Sequence, residues 1–253
     1  MSRPIQGSVC FVTGSNRGIG RAIVEELIKR GAAKVYAAAR NTNALKELAG
    51  SSRGKLVAVA LDVTNEEQIS AAANGAPDTQ ILINNAGVAG YTGIIAAADT
   101  RSARAEMDVN YFGLMQMTRA FAPILKKNGG GAVVNICSIG GLVGIPSFGT
   151  YCATKAAVHS LTQSVRGDLK AQGTLVIGVY PGPIDTDMAA DVEMKKETPQ
   201  RVAQEILNGI ESGAEEVYPD PVSKDVAARL KTDPKGVERE WSSMLPQPSG
   251  AAS

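Results

Sequence analysis

SVCFVTGSNRGIGRAIVEELIKRGAAKVYAAAR, residues 8–40, decides the fold. An apolar run, 8–13, ends at three glycines, Gly14, Gly18 and Gly20. A helix-patterned segment then reaches Gly31, a C-cap glycine, and a second apolar run covers 34–39. Strand, glycine loop, helix, strand is the setting in which such a loop becomes informative. Gly14 permits a tight turn, Gly18 lets backbone approach a pyrophosphate, and Gly20 lets the helix lie close to the strand. The helix N-terminus presents unpaired N–H groups and a positive dipole end to phosphates. Asn16, Arg17 and Ile19 complete the loop and are candidate cofactor contacts with the glycines.

Outward from this unit the pattern repeats. Apolar runs at 55–61, 80–84, 132–138 and 174–180 alternate with helical segments at 64–75, 101–127 and 151–171. The runs are continuous, as expected of strands buried on both faces of a parallel sheet. Thr64 and Glu67 have capping-box spacing. The expected architecture is α/β, a doubly wound parallel sheet of six to seven strands with helices on both faces. No composition shift divides the chain, so residues 1–245 are expected to form one domain and 246–253 a frayed tail.

The 253 residues carry a net charge of +1 and 44% hydrophobic residues, an ordinary globular composition that suggests neither nucleic acid nor a membrane as partner. There is no signal-peptide pattern at the N-terminus and no apolar run of about 18 residues. Three cysteines and one histidine form no metal-ligand cluster, and the odd cysteine count points to reduced thiols in a cytoplasmic setting.

Twenty residues after Gly20 stands Arg40, preceded by Ala39. An acid near this point binds the ribose 2′-hydroxyl of NAD, whereas an arginine accommodates the 2′-phosphate of NADP. Arg40 with Arg17 therefore points to NADPH, two guanidinium groups suiting a phosphate in charge and geometry. Asp62, with Val63 after it, ends the third strand; it is either an acceptor for the adenine amino group or a turn-forming aspartate.

Tyr151 and Lys155 stand at i and i+4 of a helical pattern and share one face. A free phenol titrates near pH 10. A neighbouring ammonium favours the phenolate and brings proton transfer towards neutral pH. TGSNRGIG, NNAG (84–87), Asn110 in VNYFG, Ser138 in NICSIGG, YCATK (151–155) and PGPIDT (181–186) stand in the order seen in short-chain dehydrogenases/reductases, and over 6–190 the chain resembles the compact single-domain branch of that family. The resemblance implies a Rossmann fold. It implies Tyr151 as the acid/base, Ser138 as a hydrogen-bond partner of the substrate oxygen, and Lys155 as a grip on the nicotinamide ribose that also lowers the Tyr151 pKa. Asn110 would anchor a water linking Lys155 to solvent. Asn84, Asn85, Ala86 and Gly87 would line the cofactor, and Pro181, Gly182, Ile184 and Thr186 would border the nicotinamide.

The expected activity is hydride transfer from NADPH to a ketone or aldehyde, with a nucleotide-sugar epimerase or a cofactor-binding regulator as alternatives. The apolar residues 88–91, 142–148 and Met188 favour a hydrophobic carbonyl substrate, and 188–198 is a candidate lid. Cys137 and Cys152 read as small buried hydrophobes, and His159 as a packing residue. Apolar side chains in the two long helical segments (Phe112, Met115, Met117, Phe121, Val158, Leu161) suggest a two-fold homodimer, a tetramer being the larger possibility. The C-terminal part lacks the glycine-rich last strand of the tetrameric acyl-carrier-protein reductases.

Overall fold

A computed structural model of the chain describes residues 3–90 and 93–246. Seven parallel strands form one sheet in the order β3-β2-β1-β4-β5-β6-β7. They are β1 (Val9–Thr13), β2 (Lys34–Ala39), β3 (Leu56–Ala60), β4 (Ile81–Asn84), β5 (Ala132–Ile136), β6 (Leu175–Val179) and the two-residue β7 (Glu216–Val217). Each crossover carries helix: α1 (Gly18–Lys29), α2 (Asn43–Ser51), α3 (Glu66–Gly75), α4 (Arg101–Met107) with α5 (Leu114–Lys127), α6 (Gly149–Asp168) and α7 (Pro199–Ser212). Two further helices, α8 (Pro221–Leu230) and α9 (Pro234–Trp241), follow the last strand.

Alternate residues of each central strand enter different cores. Cys10, Val12, Ile81, Ile83, Val134 and Ile177 join Ile23, Leu27, Val202 and Ile206 of α1 and α7. Phe11, Leu82, Val133 and Val176 join Ile69 of α3 and Met117, Phe121 and Leu125 of α5. Both sheet faces are thus dry, which is why these strands read as unbroken apolar runs. The edge strand β3 departs from the expectation. Leu56 is buried, but Val57, Ala58 and Ala60 are exposed, because an edge strand has less cover than the centre.

Three local expectations are corrected. The cap of α3 is Asn65, whose side chain accepts from the Gln68 amide at 2.9 Å; Thr64 instead donates its hydroxyl to Asp62. The 101–127 segment is interrupted by a π-helical stretch, Asp108–Gly113, between α4 and α5. A π turn inserts a residue into the helical repeat, and such turns are frequent at functional sites. Finally, α6 begins at Gly149 and ends at Asp168, so Tyr151 lies in its first turn. Of the expected tail only Pro246 is among the described residues; the rest lies outside them, as does Tyr91.

The C-terminal helices are tied to the sheet's carboxyl edge. Asp220 caps α8 with a capping box to Ser223, and its other oxygen accepts from the Gly182 amide at 2.8 Å. The carbonyl of Met244, just beyond α9, accepts from the Ser147 amide at 3.0 Å. Both attachments reach loops that follow strands β6 and β5, on the side where a doubly wound sheet binds its ligands.

Candidate active site

A cavity of about 590 Å³ lies along the carboxyl ends of the strands, a size typical of small-molecule sites. Its first wall is the glycine loop. Gly14 and Gly18 adopt φ of 65° and 53°, the left-handed region that glycine tolerates. A Cβ on Gly20 would lie 2.2 Å from the Gly14 carbonyl oxygen, so the helix and turn approach as closely as they do only without one. The Arg17 position at the N-cap of α1 supplies no side-chain cap. The first amides of this helix are therefore available to an anion.

The loop is braced from β4. The Thr13 hydroxyl accepts from the amides of Asn85 and Ala86, each at 3.0 Å. The Asn85 carboxamide donates to the carbonyls of Thr13 and Gly14, at 2.9 and 3.0 Å. Asn84 faces the other way, away from the cavity, donating to Thr118 and Asn135 inside the protein. It supports the sheet and does not line the cavity, contrary to the expectation for it.

At the far end of this wall Ala39 and Arg40 follow β2, with Asp62 and Val63 beyond β3. The Asp62 carboxylate accepts from the amide and hydroxyl of Thr64, at 2.9 and 2.8 Å. These two bonds, with a smaller contribution from Arg40, hold its carboxyl below the usual carboxylate range. The turn-forming reading of Asp62 is thus realised in its hydrogen bonds, while the residue still borders the cavity. Arg17 points elsewhere than expected. Its guanidinium pairs at 2.8 Å with Asp187, which follows β6 in the chain. With side chains 63% and 74% exposed, that pair contributes less than about 1 kcal/mol, and a phosphate dianion competes with it readily.

The chemical groups stand where β5 meets α6. Ser138 follows β5 and its Oγ accepts from the Gly140 amide at 3.0 Å, which leaves the hydroxyl proton for another acceptor. A Cβ on Gly140 would lie 3.4 Å from the Ser138 Oγ and 3.8 Å from the Tyr151 ring, so these two groups flank the same glycine. The Lys155 Nζ lies 5.6 Å from the Tyr151 ring centroid and donates to the Ile136 carbonyl at 2.7 Å. Only 5% of Lys155 is exposed, and burial lowers its pKa from 10.5 to about 8, the Cys137 sulfur opposing slightly.

That burial gives a testable cost. The drop from 10.5 to about 8 corresponds to roughly 3 kcal/mol against the ammonium. A lysine with a lowered folded pKa destabilises the fold below that pKa, and the penalty fades as pH rises from about 8 to 10.5. Lys155→Met removes the charge but also leaves the Ile136 carbonyl without this donor, so the net gain is about 1–2 kcal/mol. Thermal unfolding at neutral pH should show a Tm higher by about 2–6 °C in the ligand-free variant, the advantage shrinking above pH 8, with turnover lost. An unchanged or lower Tm at neutral pH would mean that the ammonium is not strained by its burial.

Every sequence-predicted cofactor or catalytic residue in the loops after β1 to β6 borders this cavity, with Asn110 outside it. Asn110 lies in the π turn, 1% exposed. Its carboxamide accepts from the Val88 amide at 2.9 Å and donates to the Val88 carbonyl and the Thr154 hydroxyl, at 2.9 and 3.0 Å. The side chain is committed to joining the loop after β4 to α6. A positioning role fits this geometry better than the water anchor implied by resemblance.

The substrate end holds residues the sequence reading missed. Ile145, Phe148 and Met188 border it as expected, but so do Met194, Trp241 and Met244, while Leu142 and Val143 face away from it. The one signal in the sequence was the chain's single tryptophan on an amphipathic segment with Val237, at i and i+4. The candidate lid, 188–198, is pinned at its base. Ile184 and Glu197 form a bridge, reinforced by the Asp185 amide donating to the Glu197 carbonyl at 2.8 Å. Cys137 and Cys152 are buried thiols, burial pushing the first up to about 11 and raising the second. His159 bonds the Tyr180 hydroxyl at 2.8 Å and does not border the cavity. Among the described residues no group of side chains could hold a metal ion.

The family model described as short chain dehydrogenase matches residues 8–197. An uncharacterised oxidoreductase of Staphylococcus saprophyticus is 30% identical over 218 residues, covering 82% of this chain and 92% of that one. The chain spans 44% of the length of a longer relative, the short chain dehydrogenase TazN of Aspergillus terreus, to which it is 32% identical over 200 residues. Among solved structures, a short chain dehydrogenase from Burkholderia cenocepacia in complex with NADP superposes with a TM-score of 0.90 at 40% identity, covering 94% of this chain and 99% of that one. A short chain dehydrogenase/reductase from Burkholderia phymatum in complex with NAD shares the fold, with a TM-score of 0.82 at 24% identity over 99% of both chains.

Proposed function

Because the chain belongs to the short-chain dehydrogenase/reductase family of oxidoreductases, we propose that it is an NADPH-dependent carbonyl reductase acting on a hydrophobic ketone or aldehyde. The observation that carries this reading is the junction of β5 and α6. There Ser138, Tyr151 and Lys155 meet at the apolar end of a cavity whose other end carries Arg40. Gly14, Gly18 and the uncapped start of α1 fit a pyrophosphate, and Ala39 stands where an acid would favour the unphosphorylated ribose. A structural relative at 40% identity is in complex with NADP, which supports the same choice here.

A bound reduced nicotinamide supplies the hydride. The chain's own groups supply the rest. The Tyr151 hydroxyl gives its proton to the carbonyl oxygen, so that hydride and proton together make the alcohol. The Ser138 hydroxyl donates to that oxygen and stabilises the charge developing on it. The Lys155 ammonium stabilises the phenolate left on Tyr151, the role for which its costly burial is retained. Apolar side chains at the substrate end exclude water and select an apolar substrate.

Screening NADPH oxidation against ketones, aldehydes, quinones and β-ketoesters tests the reading; turnover of none, by a protein that binds NADPH, would overturn it. A reducing, cytoplasm-like compartment agrees with three buried free thiols. No helix among the described residues is long and apolar enough to cross a membrane. The two-fold homodimer remains part of the proposal on a narrower basis. Met117, Phe121, Val158 and Leu161 are consumed by the protein's own core, leaving Phe112, 44% exposed, as the main apolar group on that surface. Light scattering at micromolar concentration decides between dimer and monomer.

A further inference from the structure

The start of α8 holds a carboxylate that does more than cap its helix. Asp220 is 2% exposed, and each of its oxygens meets a backbone amide: Oδ1 accepts from Ser223 and Oδ2 from Gly182, both at 2.8 Å. The first bond is the ordinary task of an N-cap, which serine or asparagine performs about equally well. Burying a carboxylate costs more than burying either of those. Each of the alternatives, however, has one side-chain oxygen where aspartate has two, and asparagine would turn an NH2 group towards one of the amides. Capping alone does not call for an aspartate here. The bond to Gly182 does.

Gly182 lies in the loop after β6 and is fitted to this contact. A Cβ there would lie 2.7 Å from Asp220 Oδ1 and 3.2 Å from Val222 Cβ, so the loop rests directly on the first turn of α8. Both ends of the loop reach the site. The Pro181 carbonyl accepts at 3.1 Å from the amide of Ile139, the residue after Ser138. At the other end a Cβ on Gly18 would lie 3.1 Å from Thr186 Cγ2, which puts Thr186 against the glycine loop. Pro181, Gly182, Pro183, Ile184 and Thr186 all border the cavity. The loop thus runs from the catalytic junction to the phosphate-binding turn, the span that the nicotinamide half of the cofactor would cover.

Resting on the reading of this cavity as an NADPH site, we propose that Asp220 is a positioning residue: by holding the Gly182 amide it sets the 181–186 loop at the depth that brings the nicotinamide ring up to the carbonyl bound by Ser138 and Tyr151. Asp220 does not itself border the cavity. It acts through the loop, and its effect falls on the nicotinamide half. The adenosine half is met by the glycine loop and Arg40, to which the Asp220 carboxylate makes no bond.

Asp220→Asn and Asp220→Ser each keep an oxygen for the Ser223 amide, so the helix cap survives, and each removes the acceptor of the Gly182 amide. The test compares binding, by calorimetry, of NADPH and of 2′-phospho-ADP-ribose, the same molecule without its nicotinamide. We expect both variants to bind the fragment within about twofold of the parent protein. NADPH should bind about three- to tenfold more weakly, the range of one hydrogen bond. Turnover, kcat with a carbonyl substrate, should fall about 10- to 100-fold, the scale of a displacement of about 1 Å at the reacting atoms. Equal factors for NADPH and the fragment, including no change in either, would overturn the assignment. So would turnover within about twofold of the parent, or failure of both variants to fold, since the carboxylate would then serve the fold alone. A parent protein that binds NADPH but reduces no carbonyl would remove the reductase reading, and the binding comparison would then decide for Asp220. A parent that binds neither NADPH nor the fragment would overturn the two together.

Discussion

Tyr151→Phe is expected to lower kcat for carbonyl reduction by about 10²–10⁴-fold, the usual contribution of a positioned proton donor. The substitution removes one oxygen from the first turn of α6 and keeps the ring that Lys155 faces at 5.6 Å. Affinity for NADPH, measured by titration, should therefore stay close to that of the parent protein. The Ser138 hydroxyl remains beside Gly140, so some stabilisation of the substrate oxygen survives and activity should not vanish altogether. Turnover within a few-fold of the parent would remove Tyr151 from the mechanism. Loss of NADPH binding would instead show that the ring supports the cavity.

Arg40→Ala should weaken NADPH by about 10- to 100-fold, the worth of a hydrogen bond to a charged group, and leave NADH nearly unchanged. The selectivity follows from the contact proposed for the arginine. Only the 2′-phosphate distinguishes the two cofactors, and Arg40 stands at the end of β2 where that phosphate is expected. Arg17 would have to leave Asp187 to join Arg40, at a cost below about 1 kcal/mol for so exposed a pair. Ala39→Asp should go further than Arg40→Ala, repelling the phosphate and offering an acceptor to the free ribose hydroxyls. The readout is kcat/KM for both cofactors with one carbonyl substrate. If Arg40→Ala lowers both equally, the arginine serves the shared adenosine or the fold.

The sheet was legible because its cause is local. Runs such as CFVT and ILIN, buried on two faces, cannot alternate with polar residues, and the glycine spacing marks the first crossover whatever follows it. Residues beyond strand ends were legible for a related reason, since parallel strands bring all their carboxyl ends to one edge. What escaped depends on contacts between distant segments. Exposure of β3 follows from its place at the sheet edge, which a run of LVAVA does not announce. Thr64 and Asn65 are both good caps by composition. The choice falls to Asn65 because the Asp62 side chain takes the Thr64 amide and hydroxyl.

The π stretch at Asp108–Gly113 has no periodicity of its own, and it coincides with the Asn110 bonds to Val88 and Thr154, two segments distant in the chain. Trp241 was hidden by distance. Its helix reads as a short charged segment, and only the anchoring of α8 at Gly182 and of Met244 at Ser147 brings it to the substrate end. Substrate walls assembled from the chain's end follow no motif, so that part of the site had to be seen in three dimensions.

Hydride transfer from NADPH to a carbonyl carbon is tested most directly by following a label. NADPH carrying deuterium at the hydride-donating position is incubated with the protein and a panel of hydrophobic ketones and aldehydes, and the products are read by mass spectrometry. The expected result is an alcohol with one deuterium on the former carbonyl carbon, formed in step with NADPH oxidation and strongly reduced in Tyr151→Phe. NADPH binding without deuterium in any product, or label transfer unaffected by Tyr151→Phe, would contradict it.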